Sequence, residues 1–252
     1  MSAPRAADAW RLWTVLLVAV ISLAVMLSLQ PIRQSMTYHH FADQRQFLGV
    51  PNFMDVSSNF AFLLVGLAGV AYIARRTVRL RAAWLTFFIG VAFVSAGSSW
   101  YHLNPNNDTL VWDRLPMTIA FMALLAAILG EYISERLGKA LLVPAVLLGF
   151  LSVIYWHWTD DLRFYVWIQL IPLLTVAVLM ALFRPGYTHQ WFLLVALVLY
   201  VLAKVFELFD AEVFAWTGQN LSGHTIKHLL SAASCLAVLS MLWRRTESPA
   251  PA

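Results

Sequence analysis

Residues 83–133 read AWLTFFIGVAFVSAGSSWYHLNPNNDTLVWDRLPMTIAFMALLAAILGEYI, and this stretch decides the fold. It holds two apolar runs, and about 20 such residues suffice to cross the hydrocarbon of a bilayer. Between them, Asn104-Pro105-Asn106-Asn107-Asp108 supplies the residue types that reverse a chain. With no water to satisfy their backbone groups, both runs must be helical. The stretch therefore predicts an antiparallel pair of membrane helices. His102 ends the first run, and Asp113 sits in the first turn of the second.

Working outward, the same length criterion finds eight spans: 10–29, 53–74, 83–103, 110–133, 140–157, 163–183, 190–209 and 222–243. The first follows Arg5 and Arg11, yet its apolar run of about 18 residues exceeds the about 7–15 of a signal core, and no small-x-small site follows it. It reads as a retained anchor helix. The expected architecture is all-α, a single integral membrane domain over 1–252 ending in a disordered tail from 244. Connections are short, apart from about 23 residues between the first two spans, so no separate soluble domain is expected.

Composition agrees. Of 252 residues, 61% are hydrophobic and 12% charged, where a soluble domain carries about 25% charge. Eleven Trp, sixteen Phe and eight Tyr suit aromatic belts at two interfaces. The lone Cys235 excludes an intramolecular disulfide and a cysteine-built zinc site. A formal net charge of +4 is a topology signal rather than a nucleic-acid footprint, because the arginines cluster in short loops. With the N-terminus in the cytoplasm, Arg5, Arg11, Arg75, Arg76, Arg79, Arg81, Arg136, Lys139, Arg184, Arg244 and Arg245 fall inside, against Arg33, Arg45, Arg114 and Arg163 outside. The bias expects a multi-pass membrane protein with both termini cytoplasmic and its titratable groups toward the opposite side.

Those groups carry the chemistry. His224 and His228 are one turn apart and project from one helix face, with Ser222 as N-cap. His102, from another span, ends on the same side, with Ser98 four residues earlier on its face and Asp113 across the hairpin. Ionisable groups at membrane depth are costly and mark functional sites by default. Three histidines leave one tetrahedral position of a zinc ion open for water, which is the pattern of catalytic sites. Asp113 could then orient or deprotonate that water, and Ser98 could donate to a developing oxyanion. These roles describe hydrolysis of an amide or ester. A site at this depth favours a lipid that enters sideways from the bilayer, and no obligate protein partner is evident.

The set Ser98-x-x-x-His102, Asp113 and His224-x-x-x-His228 resembles the signature of the alkaline ceramidases. These belong to a superfamily of seven-helix membrane hydrolases that includes the progestin and adiponectin receptors. The tracts FADQRQFLGVPNFMDVSSNFAFLLVG (41–66) and LVWDRLPMTIAFM (110–122) read like its bacterial ceramidase-like branch, and the likeness covers roughly 40–243. It implies His102, His224 and His228 as zinc ligands, Asp113 beside the attacking water and Ser98 as oxyanion stabiliser. It further implies a seven-helix core over 53–243, with the first helix an addition, and cleavage of ceramide-like lipids to a fatty acid and a sphingoid amine. Eukaryotic members also bind calcium through several acidic groups, whereas here the matching region offers Asp43 and Asp55, with Asn52 where an acidic ligand is expected. Two other readings stay open: a receptor of the same superfamily with a mainly structural zinc, and a haem-binding or proton-carrying membrane protein.

Smaller expectations complete the reading. Lys204 and Glu207 should form an internal ion pair, and Lys227 should pair with Glu207 or snorkel outward. Asp55-x-x-x-Asn59, beside Ser58, should support the site, hydrogen-bond a lipid headgroup or hold helices together. His39, His40, His157 and His189 need no metal, and Pro144 and Pro172 are either kinks or tolerated.

Overall fold

The structure, a computed structural model, describes residues 9–184 and 186–247. It is an all-α membrane bundle; among the described residues seven helices are long and apolar enough to cross, or eight where a bent pair counts as one span. In chain order the helices are α1 (Ala9–Ser28), α2 (Phe53–Ser58), α3 (Phe60–Ala74), α4 (Arg81–Leu103), α5 (Asn107–Tyr132), α6 (Glu135–Thr159), α7 (Arg163–Leu182), α8 (Phe192–Leu208), α9 (Asp210–Trp216) and α10 (Gly223–Arg244). α2 and α3 make one span broken at Asn59, and α8 turns by 84° into α9.

Capping explains where the helices begin. The Asn106 side chain accepts from the backbone of Asp108 and Thr109 in a capping box, so α5 starts three residues before the expected 110. Ser134 accepts from Leu137 N–H and starts α6 at Glu135 rather than 140. Ser222 caps α10 as expected, accepting from Thr225 N–H. α6 and α7 run unbroken through Pro144 and Pro172. α9 has no counterpart in the sequence reading, since seven residues are too few for helical periodicity to register.

The hairpin read from 83–133 is the centre of the bundle. α4 packs closely on α5, α5 on α6, α3 on α4 and α8 on α10. A Cβ at Gly97 would come within 2.0 Å of the Trp112 carbonyl oxygen, so only glycine lets α4 and α5 approach this far. α1 stands apart: it buries no residue of its own and packs chiefly on α7. There Trp167 Nε1 donates to Ser22 Oγ at 3.0 Å, and Arg163 Nη1 donates to the carbonyls of Leu27 and Leu29 at 2.9 and 2.7 Å. This is a seven-span core with one added helix.

On the basic side, Arg245 meets Glu131 at 2.7 Å and Trp84 Nε1 donates to the same carboxylate. The expected disordered tail is corrected at its near end: Arg244 belongs to α10, Arg245 is held by Glu131, and Thr246 bonds Thr188. Residues 248–252 of that tail, like Arg5, lie outside the described residues.

On the opposite side, residues 29–52 form an ordered cap rather than a loose connection. His39 links Tyr101 Oη and Asn107 Oδ1, each at 2.9 Å, and Gln34 accepts from Arg114 at 2.6 Å. Ala42 N–H donates to Asp210, Arg45 donates to the Asn220 carbonyl, and Asn52 Nδ2 donates to the His102 carbonyl at 2.8 Å. Within the cap, burial pushes the Asp43 carboxyl up, but hydrogen bonds and charge from Arg45 outweigh it and hold Asp43 below its ordinary range. A carboxyl depressed on folding stabilises at pH values above its unfolded pKa of about 3.9, and that contribution disappears as pH falls through the lowered folded value. Asp43→Asn should therefore melt earlier than the parent in detergent at pH 7. The difference should shrink below about pH 4, and a gap independent of pH would show that the pair's charge is not responsible.

Candidate metal centre

Two helix ends and a break bring the three histidines together. A Cβ at Gly223 would lie 2.1 Å from the Phe206 carbonyl oxygen, so glycine lets the start of α10 settle directly against α8. Asp210 fixes that start by accepting from His224 N–H at 2.7 Å. His224 and His228 then face the last turn of α4, where His102 waits. The three ring centroids are each 4.9 Å from the other two, and all three side chains are buried. One ligand nitrogen from each ring lies within 4.8 Å of the others, so the group could hold a metal ion. In a tetrahedral zinc site, N–Zn distances of about 2.0–2.1 Å put the nitrogens about 3.3 Å apart.

The hydrogen bonds show which nitrogens are available. Ser58 Oγ donates to the Asp55 carbonyl at 2.9 Å, so it must accept from His228 Nδ1–H at 2.8 Å. That tautomer leaves the lone pair of His228 on Nε2. Lys227, which has only donors, approaches His224 Nε2 at 3.4 Å, so that nitrogen also presents a lone pair. His102 Nδ1 is buried without a partner. An orphaned imidazole nitrogen in a buried triad whose ligand atoms lie within 4.8 Å of one another is what a metal would satisfy, so the donor set fits.

A layer of supporting residues surrounds the rings. Phe41 of the cap lies over His102 and His224, with centroids 4.6 and 4.7 Å away. Asp55 Oδ1 accepts from Thr225 Oγ1 at 2.6 Å, which ties α2 to the residue after His224. Ser58 and Asp55 thus support the site, as one sequence reading allowed; the short α2 exists because the span breaks at Asn59. Phe41 and Asp210 were not singled out, and only their place near the outer helix ends hinted at a role. Hydrogen bonds that orient metal-binding histidines are typically worth 10–100-fold in metal affinity. Ser58→Ala should weaken metal binding in that range in a chelator competition with zinc as the probe, whereas unchanged affinity would show that Ser58 orients nothing.

Asp113 and Ser98 share a cavity wall with His228. The wall includes Ser98, Asp113, Lys227 and His228 at the polar end, and then almost only apolar side chains as far as Leu124 and Val238. From His228 to Val238 the cavity follows ten residues of α10, about 15 Å at 1.5 Å per residue. Asp113 lies in the second turn of α5, not the first, because the capping box starts the helix early. It does not pair with Arg114, whose guanidinium turns away between Trp156 and Tyr165, 4.0 and 4.5 Å from their ring centroids.

Lys227 resolves in favour of pairing. Its Nζ is 2.6 Å from Glu207 Oε1, Lys204 pairs with the other carboxylate oxygen, and Tyr38 donates to Glu207 at 3.0 Å. The residues weighed for calcium do not converge: Asp43 binds Arg45, Asp55 binds Thr225 and Asn52 binds the His102 carbonyl. His39 is structural, and His157 lies 3.8 Å from Asp108. Among the described residues, His102, His224 and His228 are the group arranged to hold a metal. Comparison of the chain with models of known families and with curated proteins finds no match.

Proposed function

We propose that this protein is a zinc-dependent lipid amidase of the alkaline ceramidase type, cleaving the N-acyl bond of a ceramide-like lipid to a fatty acid and an amine. The observation that carries the reading is a buried triad of imidazoles of which one, His228, shares with Asp113 and Ser98 the wall of a largely apolar cavity. A zinc ion held by His102, His224 and His228 supplies Lewis acidity and water activation at neutral pH. Asp113 takes a proton from the attacking water and returns it to the leaving nitrogen. Ser98 donates to the carbonyl oxygen as that oxygen gains charge. Phe41 and the cap exclude bulk water from the polar end.

Lipid entry is lateral. The cavity is walled by α3, α4, α5, α7, α8 and α10, and α7 touches α8 at only a few positions. An acyl chain sliding between α7 and α8 would reach Ser98 and Asp113 without leaving an apolar environment. The positive-inside bias directs this end of the bundle away from the cytoplasm, toward the periplasm of a bacterial inner membrane.

The test is fatty-acid release from an acyl-labelled ceramide in mixed micelles by zinc-loaded protein, compared with chelated protein. Release that depends on zinc is expected. Zinc bound without cleavage of any N-acyl lipid would defeat the enzyme reading and favour a receptor with a structural metal.

A further inference from the structure

The cap carries a feature that the metal centre does not use. Phe47 and Val50 close a two-residue hairpin turn through reciprocal backbone bonds of 3.1 and 2.9 Å. Its central residues, Leu48 and Gly49, have φ of +50° and +80°. Such turns favour Asn-Gly, because a bulky residue at positive φ is strained. Here the strained position holds a leucine that is 83% exposed, next to a phenylalanine that is 56% exposed. A soluble loop would have little reason to keep either.

Neighbouring residues indicate what covers them. The Phe47 ring packs on Phe53 with centroids 4.9 Å apart, and Phe53 is the first residue of a membrane span. The tip is therefore continuous with the lipid-facing belt. Residues 46–54 carry no charge, and the nearest cation, Arg45, is neutralised by Asp43 at 2.6 Å. Arg45 also lies over the Phe214 ring of α9, the helix that turns off by 84° and ends in the 79% exposed Trp216. Aromatic and aliphatic tips without net charge suit the boundary between headgroups and acyl chains.

We infer that the Phe47–Leu48 turn is an interfacial anchor, dipping into the bilayer leaflet on the metal-centre side. Its partner is the lipid surface itself. Membrane contact there braces the cap, because the same hairpin runs from Arg45, bonded to Asn220, to Asn52, bonded to the His102 carbonyl. The inference stands whether or not the protein is an amidase.

A nitroxide placed by Leu48→Cys, in a Cys235→Ala background reconstituted in vesicles, tests it. Collision with dissolved oxygen should be high and collision with a water-soluble nickel chelate low. The reverse should hold for a label at the exposed Asp108→Cys on the same side. Where Leu48→Cys does not fold, Phe47→Cys carries the same expectation. Nickel accessibility at 47 or 48 equal to that at 108 would overturn the anchor. A label shielded from both reagents would also overturn it, since the tip would then be docked on protein.

Discussion

Metal should be nearly absent from His224→Ala protein purified beside the parent, and the proposed amide hydrolysis should fall by about 10³-fold or more. Three converging imidazoles leave no reserve: removing one strips a third of the protein ligands and opens the centre beneath Phe41 to water. Lewis-acid assistance is worth several kcal/mol, and each 1.36 kcal/mol is a factor of ten in rate. Elemental analysis gives the first readout and a labelled N-acyl lipid the second. His157→Ala, at a ring outside the triad, should retain its metal. Parent-level zinc in His224→Ala would mean that the ion binds elsewhere and that the triad is an ordinary buried contact.

The histidine triad was legible because its signals were local. A spacing of four places His224 and His228 on one face, and antiparallel spans bring His102 to the same level. The hairpin from 83 to 133 was legible for a similar reason, since hydropathy and a turn cluster suffice for a spanning pair. Phe41 was not readable, because its role depends on how a 24-residue connection folds back, and the role of Asp210 depends on the bend between α8 and α9, neither of which any periodicity encodes. α9 escaped because seven residues are too few for helical periodicity to register. The Lys227 alternatives could not be decided from sequence either: pairing with Glu207 needs α8 and α10 side by side, which is a tertiary fact.

That pair supports the last and sharpest prediction. Glu207 is the counter-ion of a nearly buried ammonium, since Lys227 is 13% exposed and Glu207 11%. Breaking a buried ion pair from one side costs about 3–5 kcal/mol, because a lone charge remains in a low-dielectric site. At about 2–4 °C per kcal/mol for a chain of this size, Glu207→Leu should melt roughly 6–20 °C below the parent in detergent. It should also bind zinc more weakly, because an uncompensated cation would then sit close to the His224 ring. Lys227→Met in the same chain removes that cation, so the double variant should recover most of both losses. If Glu207→Leu were destabilised but kept its zinc affinity, the pair would be a strut between α8 and α10 and nothing more. Loss of both properties, with joint recovery in the double variant, would show that the ion pair sets the field in which the three imidazoles accept a cation.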